Sequence, residues 1–210
     1  MSKPPNPRVR PSDDRSRARF ALPFAAAGLL LALGLFGAGV FFWLTGSAGA
    51  AIGGPFTLEN GSGQTVTDRS FRGKYMLVYF GYTYCPDVCP TTLNEVAGAL
   101  EQLGPKAKLI QPLFITVDPA RDTPAAIRQY VHAFTPQLMG LTGTPEQIDR
   151  VEREYRVYSA KRVTGPGPND YTMDHSSVLY LMGPNGQFIA PIDAEETASQ
   201  LAKKLAGLVS

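Results

Sequence analysis

The sequence predicts an α/β sandwich carried behind one membrane helix, and three observations predict it. From Phe56 onward, short apolar runs rich in β-branched and aromatic residues alternate with stretches of helical periodicity. A hairpin followed by a helix closes the chain. Ahead of all this, Leu22 to Leu44 is an almost continuous apolar run of 23 residues. At about 1.5 Å per residue that run crosses a hydrocarbon core of about 30 Å.

Six basic residues (Lys3, Arg8, Arg10, Arg15, Arg17, Arg19) and two acidic ones (Asp13, Asp14) precede the apolar run, and no Lys or Arg follows it until Arg69. The positive-inside rule therefore puts the N-terminus in the cytoplasm and the body of the protein on the far side. Residues 1–20 are expected to be a disordered basic tail, 21–44 a transmembrane anchor, 45–54 a flexible Gly/Ala-rich linker and 55–210 one exported domain. Ala48-Gly49-Ala50 resembles a small-residue cleavage site, but the apolar run exceeds the 7 to 15 residues of a cleavable signal. Asp13, Asp14 and the early prolines fit a bacterial inner membrane and periplasmic body better than a mitochondrial presequence and inner membrane. The net charge of +2 is an average over unlike parts, because the segment after the anchor carries 14 basic and 16 acidic residues. No basic stripe there points to nucleic acid.

In chain order, Phe56–Asn60 and Gln64–Thr67 read as a hairpin about a glycine turn, and Tyr75–Phe80 as a buried strand. Helical spacing runs from about Cys89 to Leu103, where Gly104-Pro105 stops it. Leu109–Val117 is a second apolar strand, and Thr123-Pro124 caps a helix running to about Phe134. Leu138–Leu141 is a short strand, Thr144-Pro145 opens a helix to about Tyr155, and Ser159–Asp170 is expected to be a long loop. Val178–Met182 and Gln187–Ala190 form a hairpin over Gly183-Pro184-Asn185-Gly186, and a last helix runs from about Ala194 to Leu208. Strand–helix–strand units imply parallel pairing, so the whole reads as a thioredoxin-like sandwich. Such a fold by itself fixes no function.

The only two cysteines stand in Cys85-Pro86-Asp87-Val88-Cys89, with Pro90 next, at the junction of a strand and a helix. Proline deep in a helix clashes with the carbonyl four residues back, so regular helix should begin near Cys89 with Cys85 in the preceding loop. Free amides at that helix start stabilise thiolates, the forms that bind soft metals and attack disulfides. Two thiolates select Cu(I), and adding one imidazole gives a trigonal set that also holds Cu(II). There are two histidines. His132 lies inside a helical stretch far from the motif and reads as packed or solvated. His175 precedes the Val178 strand and can reach the dithiol from an opposing loop, although an ordinary polar strand start explains it too. Asp174 reads as a carboxylate that orients the imidazole, or else as a turn cap.

The blocks Gly81-Tyr82-Thr83-Tyr84-Cys85-Pro86-Asp87-Val88-Cys89-Pro90, Val117-Asp118-Pro119-Ala120-Arg121-Asp122-Thr123 and Asp174-His175-Ser176 closely resemble the Sco/SenC family of membrane-anchored copper chaperones. They occur in family order over nearly the whole exported segment. The resemblance implies that Cys85, Cys89 and His175 bind one copper ion, Cu(I) or Cu(II). It implies delivery to the binuclear copper site of cytochrome c oxidase subunit II, with thiol–disulfide exchange on that target through a reversible Cys85–Cys89 disulfide. Other periplasmic copper chaperones or thiol reductants are further partners of that role. The block around Asp118 matches as well, but helix capping suffices to explain it. Met173 beside the pair reads as core filler, with a thioether ligand as the alternative. Tyr79, Phe80, Tyr82 and Tyr84 suggest a docking face, with Tyr79 and Phe80 also read as core, and the loop Ser159–Asp170 suggests either a lid or a passive linker.

The competing reading is an exported thiol–disulfide oxidoreductase with Cys85 as nucleophile and Cys89 as resolving thiol. Thioredoxins place two residues between the cysteines and a cis-proline opposite them; this chain has three residues and offers His175. A peroxiredoxin would need threonine at Tyr82. A purely structural disulfide leaves His175 without a purpose.

Overall fold

The structure, a computed structural model, describes residues 33–37 and 52–209. The chain divides into two units, Met1–Ala50 and Ala51–Ser210. In the first, residues 33–37 are helical and exposed. No helix among the described residues is long and apolar enough to cross a membrane. The basic tail, most of the expected anchor and most of the expected linker lie outside the described residues. The end of that linker is not a free tether: Gly53 N donates to the Glu154 carbonyl (2.7 Å) and Ile52 packs on the core.

The second unit is built on a seven-stranded sheet of order β2-β1-β5-β4-β3-β8-β9. Its strands are β1 (Thr57–Asn60), β2 (Thr65–Thr67), β3 (Tyr75–Gly81), β4 (Ile110–Thr116), β5 (Met139–Thr142), β8 (Val178–Met182) and β9 (Phe188–Asp193). The helices are α1 (Val88–Leu103), α2 (Pro124–His132), α3 (Pro145–Tyr155) and α4 (Ala198–Leu208). β3, β4 and β5 are parallel, with Val78 opposite Leu113 and Ile115 opposite Leu141, and α1 and α2 make the crossovers. The edges are antiparallel, β1 on β5 and β8 on β3. The expected thioredoxin-like α/β sandwich is therefore the observed one.

Every residue of β3 is buried, as expected for a central strand covered on both faces. The two-residue period of a strand sorts them: Tyr75, Leu77 and Tyr79 join Cys89, Leu93, Val96, Leu201 and Leu205 on the face covered by α1 and α4. Met76, Val78 and Phe80 join Ile148, Val151 and Tyr155 under α3. α1 and α4 come close where a Cβ on Gly98 would lie 3.1 Å from that of Ala198. The capping threonines behave as read: Thr123, Thr144 and Thr197 each accept from an amide of the first turn, and the last two form capping boxes with Gln147 and Gln200. Because Thr197 is the cap, α4 starts at Ala198, four residues later than the expected Ala194.

A whole element also departs from expectation. Ser159–Asp170 is not a loop. β6 (Ser159–Val163) pairs antiparallel with β7 (Tyr171–His175), Ser159 opposite His175 and Val163 opposite Tyr171, as a two-stranded ribbon outside the main sheet. Only residues 164–170 form the turn. Lys161, Arg162 and Val163 of β6 are exposed, so the strand has no inward apolar face to mark it; it exists because β7 supplies the ladder.

Candidate metal centre

The centre lies beyond the carboxyl ends of β3 and β4, the edge at which parallel α/β sheets bind ligands. β3 ends at Gly81, and the chain from Tyr82 to Asp87 carries Cys85 to the first turn of α1. Asp87, the residue before that turn, gives α1 no side-chain cap. The open amide of Cys89 instead donates to Cys85 Sγ (3.3 Å), so the sulfur itself caps the helix. Pro90, in the same first turn, has no N–H that would need a partner. The helix thus begins at Val88 with Cys85 outside it, close to the expected arrangement.

Cys89 is fully buried and Cys85 half-buried, both as free thiols. Gly81 makes room for Cys89: a Cβ there would stand 2.8 Å from Cys89 Sγ and 2.8 Å from the Phe114 ring. His175, the last residue of β7, brings Nε2 to 3.4 Å from Cys89 Sγ. The Cys85, Cys89 and His175 donor atoms all lie within 4.8 Å of one another. His175 Nδ1 lies 3.1 Å from the Ser176 carbonyl. A carbonyl only accepts, so Nδ1 is the nitrogen that donates there, and Nε2 is the one that faces the sulfurs. The rings of Tyr82 (6.0 Å, 87°) and Tyr79 (6.1 Å, 74°) meet the imidazole edge-on and fix its plane.

The two thiols have opposite acidities. The Cys89 thiol hydrogen-bonded to Cys85 pulls the Cys85 pKa down to about 4 against the effect of burial, with His175 and the amides of Cys89 and Asp87 adding to the pull. The same hydrogen bond, together with burial, pushes Cys89 up. The copper-free pair therefore holds one thiolate, on Cys85, with Cys89 as its proton donor.

His132 sits exposed at the end of α2 and does not join the cluster. Met173 packs with the apolar cluster under α3, as a core filler does. Asp174, expected to orient the imidazole, points the other way: its carboxylate takes Arg162 Nε (3.1 Å) and Nη2 (2.6 Å) across the β6–β7 ribbon. The Ser176 carbonyl stands where an orienting carboxylate was expected. Tyr79, Phe80 and Tyr82 are buried, while Tyr84, 63% exposed, is at the surface. A cavity of about 360 Å³ opens to Cys85 between Tyr82, Val88, Met173 and His175.

Sequence reasoning gave the segment Asp118–Asp122 a helix-capping role alone and missed its support of the dithiol turn. Asp122, fully buried, accepts from Thr83 N (3.0 Å), Thr83 Oγ1 (2.6 Å) and Thr116 Oγ1 (2.6 Å). Asp118 pairs with Arg121 Nε and accepts from Tyr171 Oη (2.9 Å). The available signal was position: an acid-rich turn at the carboxyl end of β4 shares an edge with the dithiol.

Fold and donors together define a thioredoxin-like domain bearing a dithiol–imidazole centre, open on one side and suited to a soft metal ion. Residues 45–210 match the SCO1/SenC family model. The chain belongs to the SCO1/SenC family. It is 41% identical over 161 residues to the human "Protein SCO1 homolog, mitochondrial", covering 74% of this chain and 52% of that protein. It is 46% identical over 158 residues to "Protein SenC" of Rhodobacter capsulatus, covering 75% and 71%. The chain thus spans about half the length of the human relative. Among solved structures, Bradyrhizobium japonicum ScoI with copper bound aligns with a TM-score of 0.69 at 45% identity, over 75% of this chain and 99% of that one. Yeast Sco1 with copper bound aligns with a TM-score of 0.70 at 38% identity, over 75% and 87%.

Proposed function

We propose that the protein binds one copper ion as cargo through Cys85 Sγ, Cys89 Sγ and His175 Nε2 and delivers it to the binuclear copper site of cytochrome c oxidase subunit II. The observation that carries this reading is the convergence of two thiols and one imidazole nitrogen within 4.8 Å. The donor set fits the ion: thiolates select Cu(I), and the nitrogen extends the set to Cu(II). The copper-bound structures of relatives from Bradyrhizobium and yeast support the same choice of cargo.

Transfer by ligand exchange starts at the half-buried Cys85, since Cys89 is enclosed. The same asymmetry supports thiol–disulfide exchange on the target. The Cys85 thiolate attacks a target disulfide, expelling one target thiolate and forming a mixed disulfide. Cys89 passes its proton to the target thiolate just expelled, attacks Cys85 Sγ and releases the second target thiolate. Two electrons pass to the target, and Cys85–Cys89 is left as the disulfide. On this reading Leu22–Leu44 is a single anchor with the N-terminus in the cytoplasm of a bacterium and the domain from residue 55 in the periplasm, which the six basic residues ahead of the run support.

The test is the copper content of the full chain, loaded anaerobically in detergent and desalted. The expected result is one copper per chain, lost in the Cys85→Ser/Cys89→Ser double variant. Wild-type protein that retains none, or a double variant that retains as much, contradicts the reading.

A further inference from the structure

The three donors come from two separate pieces of chain. Cys85 and Cys89 ride on the turn from β3 into α1, whereas His175 ends a ribbon outside the main sheet. Beyond the ring contacts of Tyr79 and Tyr82 with His175, the two pieces are bridged by Arg121. Its side chain is only 8% exposed and pairs through Nε with Asp118, itself 4% exposed. Nη1 donates to the Tyr171 carbonyl (3.0 Å), and the guanidinium lies over the Tyr171 ring with Cζ 3.7 Å from its centre. On the other side the same carbon lies 4.7 Å from the centre of the Tyr84 ring and 5.7 Å from that of Tyr82. Tyr84 adjoins Cys85; Tyr82 meets the His175 ring edge-on; Tyr171 lies four residues before His175 in the same strand.

We propose that Arg121 is the positioning residue of the metal centre: its flat guanidinium, clasped between the dithiol turn and the β6–β7 ribbon, sets His175 at its distance from the cysteines. This deepens the copper-site reading and rests on it for its purpose, though not for its geometry. To neutralise Asp118 alone, a lysine would serve as well. A guanidinium that must stack on tyrosine faces while reaching a carbonyl has no lysine equivalent.

Arg121→Ala would strand Asp118 as a buried charge and risks misfolding, so the decisive variant is Arg121→Lys, which keeps the charge. The first measurement needs no copper: amide hydrogen exchange in the reduced full chain. Loss of the clasp predicts exchange of Tyr171–His175 at least roughly tenfold faster, with Leu77–Phe80 of β3 unchanged. A ribbon that exchanges as in wild type, or a core that loosens equally, overturns the proposal. The second is a double-mutant cycle in Cu(I) competition with His175→Ala. Arg121→Lys alone should weaken binding roughly tenfold and add nothing on top of His175→Ala, because the ligand it would displace is then already absent. Additive losses overturn the positioning role. If wild-type chain takes up no copper, the copper reading fails, and the exchange data decide the clasp on their own.

Discussion

Cys89 Sγ is enclosed by Gly81, Phe114 and His175, with Tyr79 Oη at 4.0 Å, whereas Cys85 looks into the open cavity. That difference makes Cys85 the thiol that meets reagents. Its pKa lies at about 4, below the ordinary thiol value of 9.0, so it remains a thiolate as pH falls through neutrality and takes up its proton only near pH 4. In copper-free reduced protein, alkylation by iodoacetamide should label Cys85 with a rate that is flat from pH 8 to about 5 and falls near 4, while Cys89 stays unlabelled; peptide mass spectrometry reads both. A midpoint near 8.5, or equal labelling, would count against the assignment. Gly81 supplies the second residue-scale prediction. Gly81→Ala drives a methyl group into Cys89 Sγ and the Phe114 ring and should cost about 1–3 kcal/mol in chemical denaturation while weakening Cu(I) binding.

At the scale of elements, α1 and α4 pack together, yet only α1 touches the metal centre. Thr197→Ala removes the capping box of α4 and should cost about 1 kcal/mol of stability with copper affinity unchanged, a separation that denaturation and Cu(I) competition reveal together. The regular elements were legible because local physics sets them: Thr-Pro caps, the Gly104 stop and the two-sided apolar run of β3 all carry their own signal. The β6–β7 ribbon was not. Its strand Ser159–Val163 is polar and exposed, and only pairing with β7 defines it. The dithiol was legible for the opposite reason, since its two cysteines are the only ones in the chain, and His175 was singled out chiefly by the resemblance to the Sco/SenC family. The partners of these residues were hidden. Asp174 turns to Arg162 and the Ser176 carbonyl faces the imidazole, choices set by which face of β7 each residue occupies.

For the whole molecule, the centre brings together three pieces of chain: the turn after β3, the first turn of α1 and the end of β7. A copper ion bound there favours the folded chain over the unfolded one. At a free concentration a hundred times the dissociation constant the gain approaches about 2.7 kcal/mol, less whatever copper the unfolded cysteines retain. Thermal unfolding of the full chain should therefore move upward on copper loading, and the Cys85→Ser/Cys89→Ser variant should not respond. The central claim is that one copper is held by both sulfurs and by His175. Copper K-edge X-ray absorption of the loaded full chain tests it most directly. The account predicts two sulfur scatterers and one imidazole nitrogen per copper, with the nitrogen lost in His175→Ala; a spectrum with sulfur alone in wild type, or one that His175→Ala leaves unchanged, would contradict it.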